Sequence, residues 1–315
     1  YGVISIKYSF HAAYTISFVL LAINCVLVFS TYKSKLSIKT RIKYRRYVLS
    51  AISILALLIA CLLMIKFTNA FSYLVDLFII FILCYIGYIA KQQNAVNRKR
   101  LIALTILNIF SIFFFMLSLQ VSSTVLLFIS RELHIHIFNY TFPPEFYSSL
   151  APIFLILLSP CFAPLWNRLR QSSGDRAVIK RVLISLICGT AAFFVLAACA
   201  NKTVVNSGVI SLSIILLANL LLGLGELSVG PALTSAVTYL SPKKHHGSFM
   251  GLWFFSISVA AFLGSKLAKL SDITPKNAGH ALSIYHHTFV ISGSISAVSL
   301  VVLIYIIVKG KWGIY

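Results

Sequence analysis

Apolar residues in this chain come in long runs rather than in narrow stripes. Nine stretches, at 12–30, 48–66, 71–90, 101–129, 147–169, 178–199, 209–239, 246–269 and 284–308, are hydrophobic around the whole circumference of a helix, and short polar connections separate them. A helix needs about 20 mostly apolar residues to cross the hydrocarbon core of a bilayer, and each run is near or above that length. The alternation that marks barrel strands is missing, and an open sheet edge would leave backbone groups unsatisfied in lipid. The pattern predicts an all-α polytopic membrane protein with about nine transmembrane helices.

Composition points the same way. Of 315 residues, 59% are hydrophobic and 10% charged, with a mean hydropathy of +0.95. Soluble domains average about 25% charged residues, so a soluble enzyme, a disordered chain and a secreted disulfide scaffold are all excluded as readings. The six cysteines, Cys25, Cys61, Cys84, Cys161, Cys188 and Cys199, fall inside apolar runs without a Cys-x-x-Cys pair, which is the usage of small apolar filler.

A net charge of +21 invites a nucleic-acid partner, but the cations sit in clusters between runs rather than on one polar face. In a membrane protein that distribution reports topology. Loop 31–47 holds seven cations, from Lys33 to Arg46, and the next connection only Lys66. Lys91, Arg98, Lys99 and Arg100 precede a connection with Arg131 alone; Arg168, Arg170, Arg176, Lys180 and Arg181 precede one with Lys202 alone. Lys243 and Lys244 then fall on the rich side and Lys266, Lys269 and Lys276 on the other, before Lys309 and Lys311 in the tail. This alternation points to nine spans, with the amino end outside and the carboxyl end cytoplasmic, although the connection after 269 is richer in lysine than an outside loop should be. Run 12–30 follows Lys7 but lacks a small-residue cleavage pattern and ends in the most basic loop, a stop-transfer flank rather than a leader. A chain that starts outside in this way is expected to follow earlier helices.

Six acids narrow the candidate chemistry. Glu132, Glu145, Asp175 and Asp272 fall in loops or at helix ends, and Asp76 lies near the start of its run, within reach of water. Glu226 lies in the middle of LLLGLGELSVGPALTSAVTYL, where an acid costs several kcal/mol unless paired, hydrated or protonated. Gly223, Gly225 and Gly230 permit close approach by other helices, and Pro231 removes a backbone hydrogen bond. An ionisable residue at the midplane of a weakened helix is the general pointer to a transport site. The alternative is a structural acid bonded to a neighbouring helix. Trp253 also sits inside a run rather than at its end, as expected of a residue lining a pocket. The histidine pairs His134/His136 and His245/His246 fall on opposite sides of the bilayer with no acidic companions, so no metal site is expected. No phosphate loop, nucleophile elbow or carboxylate pair suggests an enzyme.

GLGELSVGPALTSAVTYLSP (223–242), followed by GSFMGLWFFSISVAAFLGS (247–265), resembles helices ten and eleven of the proton-dependent oligopeptide transporters of the major facilitator superfamily. FPPEFYSSLAPIFLILLSPCFAPLW (142–166) is similar to their eighth helix, FFFMLSLQVSSTVLLFISR (113–131) to their seventh and YGVISIKYSFHAAYTISFVLL (1–21) to the start of their sixth. The resemblance implies three regions: 1–30 as the last helix of an amino-terminal bundle, 31–98 as a basic cytoplasmic loop with two inserted helices, and 99–315 as a six-helix carboxyl-terminal bundle. It implies a secondary active transporter, a proton-coupled di- and tripeptide symporter of the cell inner membrane. Glu226 takes the position of the acid that holds the peptide amino group and joins in proton coupling, and Trp253 that of a tryptophan in the peptide pocket. The implied partners are a small peptide or other small solute, the proton, the lipid bilayer and an amino-terminal half, with no cofactor and no nucleic acid.

The chain departs from the family pattern at definite places. Leu119 replaces the seventh-helix acid beside a retained Gln120, Ser130 replaces the acid before Arg131, and Ala151 replaces an asparagine that contacts peptide. Gly230 stands for a serine, and Ala260-Ala261 for a Gly-Asn pair. These departures support a second reading: a non-transporting or decayed membrane protein, or half of a split transporter that needs a partner. The topology itself has a direct check. In a cysteine-free background, a cysteine at Asn139 is expected to react with an impermeant maleimide on intact cells, and one at Lys244 only after permeabilisation.

Overall fold

The computed structural model describes residues 52, 68–132, 136–137, 140–141, 144–173, 176–201, 208–273 and 278–309. Runs 12–30 and 48–66, with the loop between them, lie outside the described residues or nearly so. The other seven runs each become a helical span long and apolar enough to cross a membrane. The chain divides into two units, one ending at Ile89 and one running from Ala90. In the first, α1 (Thr68–Gln92) carries exposed Asp76, Tyr73, Leu77 and Phe81.

The second unit is built on three mutually packed helices: α2 (Ala95–Ser118), α6 (Arg176–Cys199) and α7 (Gly208–Leu240). Three more helices cover the edges of this triangle. Helix α5 (Leu150–Ser173) packs along α6 and α7, α8 (His246–Ala268) along α2 and α7, and α9 (Ala281–Lys309) along α2 and α6. Without a hydrophobic drive between helices in lipid, such contacts depend on close packing at small residues. Phe114 of α2 is fully buried and occupies the notch made by two glycines. A methyl at Gly189 would stand 3.1 Å from its ring, and one at Gly225 would overlap it. Gly264 brings α8 onto the backbone of α2, where a methyl would stand 3.1 Å from the Met116 carbonyl oxygen. Gly293 of α9 lies against Phe193 and Phe194, and Thr190 Oγ1 donates to Ser296 Oγ at 2.9 Å across the same interface.

The run at 101–129 is predicted as one span and is one crossing, Ala95–Glu132, but it is not one continuous helix. A 3-10 segment, Leu119–Ser122, and a turn at Ser123 separate α2 from α3 (Thr124–Glu132). Four of the five residues at 120–124 are polar. The Ser123 hydroxyl donates to the Gln120 carbonyl at 3.4 Å, the local competition by which serine loosens a helix. Past α3 comes a two-residue hairpin, β1 (His136–Ile137) with β2 (Tyr140–Thr141), paired antiparallel as His136 to Thr141 and Ile137 to Tyr140. The short α4 (Glu145–Ser148) then leads into α5.

Helix α5 continues through Pro160 and Pro164. A proline removes the N–H that would bond four residues back; Ser159 Oγ donates to the carbonyl of Ile156 at 3.2 Å, serving the group that Pro160 leaves free. Buried polar side chains also bond within their own helix: Asn108 to Leu104 and Asn219 to Ile215, both at 3.1 Å. Between helices, His286 Nδ1 of α9 donates to the Ala197 carbonyl of α6 at 2.9 Å. The glycines give a stability test. Gly264→Ala should destabilise the bundle by about 1–3 kcal/mol, because backbone must move. Gly230→Ala, where a methyl meets nothing within 4 Å, should leave it unchanged or raise its stability by up to about 1 kcal/mol. Thermal unfolding in detergent separates the two.

Candidate functional site

Helix α7 is uninterrupted over 33 residues although it contains Pro231. Glu226 sits past its middle and is half-buried. On a 3.6-residue helix its stripe includes positions three before and four after, and both are glycines. Gly223 packs against α5, where a methyl would lie 3.4 Å from Phe154 Cβ and 3.6 Å from the Ala151 carbonyl oxygen. Gly230 faces open space. The carboxylate therefore stands between a closed glycine contact and an open one. Among the described residues no cation pairs with it. The structural alternative, an acid bonded to a neighbouring helix, has no partner among the described residues. A half-buried carboxylate without an internal cation is suited to receive a proton or an ammonium group from outside the protein.

Trp253 lies on α8 and is 2% exposed. Its ring meets Phe115 of α2 edge-on, with centroids 5.7 Å apart. Phe115 in turn meets Phe114 edge-on at 5.4 Å. Since Phe114 fills the notch at Gly225, α2 joins the two expected site residues: Glu226 follows the glycine on one side, and Trp253 ends the aromatic series on the other. Trp253 is thus a packing residue of the α2–α8 interface in this conformation. Phe114 and Phe115 are not marked out by sequence pattern alone. Their signal was the run FFFM at 113–116, opposite glycines on other helices.

The positions of departure are distributed unevenly. Leu119 is exposed within the break between α2 and α3, whereas Gln120 is buried, its amide donating to the Met116 carbonyl at 3.4 Å. Ala151 lies beside Gly223 on the closed side of Glu226. Ala260 is fully buried and Ala261 exposed. Ser130 is exposed and bonds back to Leu127 at 3.0 Å. At this end of the bundle the ring of Tyr285 meets Phe128 at 5.2 Å, with Arg131 and Glu132 close to its hydroxyl.

Histidines do not assemble with acids or cysteines into a metal-binding group among the described residues. His246 Nδ1 is bonded to Ser241 Oγ at 2.7 Å, and His286 and His287 stack edge-on. Arg181 of α6 lies over the Trp166 ring of α5, 4.7 Å from its centroid, a contact that ties these two helices near their connection.

The sequence profile of the POT family matches residues 1–304. A dipeptide and tripeptide permease A of Yersinia pestis is 29% identical over 218 residues, covering 67% of this chain and 42% of the permease. The permease of the same name from Serratia proteamaculans is 30% identical over 218 residues, with 66% and 42% covered. The chain thus spans less than half the length of these relatives. A crystal structure of a peptide transporter POT with sulfate superposes with a TM-score of 0.75 at 24% identity, covering 99% of this chain and 64% of that one. A bacterial homologue of the human drug peptide transporters gives 0.72 at 20% identity, with 96% and 63% covered. These likenesses show the fold.

The aromatic contact predicts distinct effects at Trp253. Trp253→Ala should cost about 3–5 kcal/mol of stability, and Trp253→Phe, which keeps an edge-on ring at Phe115, should recover most of it in thermal unfolding.

Proposed function

The chain belongs to the POT family of membrane transporters, and from that premise we propose that it forms the carboxyl-terminal part of a proton-coupled symporter for di- and tripeptides. The observation that supports this most is Glu226: a carboxylate at membrane depth, flanked by Gly223 and Gly230, with no cation to pair with it among the described residues. A peptide carries one feature that suits such a group, its terminal ammonium. Protonation of Glu226 removes the charge that holds that ammonium, so binding and release become linked to the proton. With Leu119 in place of the seventh-helix acid, Glu226 is the carboxylate that the described helices of the second unit place at that depth to carry the linkage. Trp253 forms a wall of the peptide pocket once α8 moves relative to α2.

The cargo class is bounded by chemistry. Related transporters have been solved with 5-aminolevulinic acid and with alafosfalin. The first, like a peptide, joins an amine to an acid. Ala151 offers no side-chain amide where the family pattern has an asparagine, which favours cargo with apolar side chains.

Alternating access needs two bundles moving about one site. The active unit therefore includes an amino-terminal bundle besides the helices described above. Its setting on this reading is the inner membrane, with the amino end of this chain outside and the carboxyl end cytoplasmic, an orientation that the distribution of cations supports.

Uptake of a labelled dipeptide into cells that express the complete reading frame tests the proposal. Uptake is expected to fall to background when the proton gradient is collapsed. Glu226→Gln should lose at least about tenfold, the effect of removing a charge-assisted hydrogen bond. Unchanged uptake by Glu226→Gln at equal surface expression contradicts the assignment.

A further inference from the structure

A groove of about 620 Å³ runs along the outside of the second unit between α2 and α9. Phe110 and Phe113 form one wall, and Ile291, Ile295, Val298 and Val302 most of the other. Val298 is 63% exposed and Val302 42%. Ser299 also borders the groove, but its hydroxyl donates to the Ser296 carbonyl at 2.7 Å. The walls therefore present hydrocarbon almost throughout.

Both walls end in a lysine. Lys99 lies eleven residues before Phe110 and fourteen before Phe113 in one helix. At about 100° per residue these offsets bring all three to within about 40° of one line. Lys309 lies seven residues beyond Val302 and eighteen beyond Ile291, an offset of five whole turns. Each lysine therefore continues the stripe that lines the groove, and both are exposed. Lys309 Nζ lies 4.9 Å from the centroid of Tyr305, against an aromatic face at the membrane border. The two lysines are also at the same end of the bundle, because α2 and α9 are five crossings apart and so antiparallel. Neither helix contains an acidic residue.

From this geometry we infer that the α2–α9 groove is a binding site for an anionic phospholipid, with an acyl chain along the groove and the headgroup phosphate between Lys99 and Lys309. The apolar part starts roughly 10 Å from the level of Lys309 and reaches about 28 Å, by helix rise, a span that accommodates an acyl chain below a headgroup. Two cations on helices that carry no acid of their own complement a net negative headgroup better than a zwitterionic one. Basic sites between transmembrane helices bind anionic headgroups by this arrangement. The lipid would join α2, which carries the break beside Leu119, to α9 at their outer faces.

Native mass spectrometry of the full natural chain, released from nanodiscs of phosphatidylglycerol or phosphatidylcholine, tests the site. Retention of phosphatidylglycerol over phosphatidylcholine is expected. The double substitution Lys99→Gln, Lys309→Gln should weaken that retention roughly 30-fold. Val298→Trp, which fills the groove and leaves both lysines, should also displace the lipid. Equal retention of the two lipids, or unchanged retention in the double variant, overturns the inference. So does a spin label at Val298 that membrane-dissolved oxygen does not reach, which would mean that another protein segment covers the groove.

Discussion

The second unit depends on one close approach. Phe114 is fully buried where α2, α6 and α7 meet, and it fits only because Gly189 and Gly225 have no side chains. A methyl on Gly225 would occupy the space of the ring. In water, apolar burial would hold three such helices together even with looser contacts; in lipid, that drive is absent and interdigitation must supply the specificity. The same ring reaches Trp253 through Phe115. A packing requirement in the core therefore fixes where α7 presents Glu226 and where α8 presents Trp253.

The bilayer also explains how polar groups are distributed. Serine, threonine and asparagine are buried in number, yet most bond to a carbonyl three or four residues back in the same helix. Such bonds satisfy a side chain without requiring a partner on another helix. Bonds between helices are few among the described residues, as at Thr190 to Ser296 and His286 to Ala197. Glu226 contrasts with this self-sufficiency. It has neither a back-bonded hydroxyl's economy nor a described cation, which is why a role involving exchange with a proton or ligand suits it better than a structural one.

Much of this was legible from sequence because membrane helices announce themselves by length. All seven runs within the described residues became membrane-length helices, and the family resemblance carried by residues 223–265 agrees with the profile match over 1–304. The break at Leu119–Ser122 does not show in the hydropathy pattern, since averaging over the run hides the clustering of four polar residues at 120–124. The role of Phe114 was invisible for a different reason. A phenylalanine in an apolar run can face lipid or core equally well, and only the positions of two distant glycines decide. The position of Trp253 was anticipated, but its contact with Phe115 was not, because contacts between helices have no signature along either one. The region assignments for 1–51 and 53–67 concern residues outside those described.

If the fit of Phe114 against Gly225 sets the position of Glu226 on α7, the two residues must be coupled in function. A double-mutant cycle of Gly225→Ala and Phe114→Leu, read as initial rates of labelled dipeptide uptake at matched surface expression, measures that coupling. Gly225→Ala alone is expected to depress uptake severely, and adding Phe114→Leu, which makes room for the methyl, to restore a substantial part of it. Full uptake by Gly225→Ala alone, or no recovery in the double variant, would contradict that role for the ring.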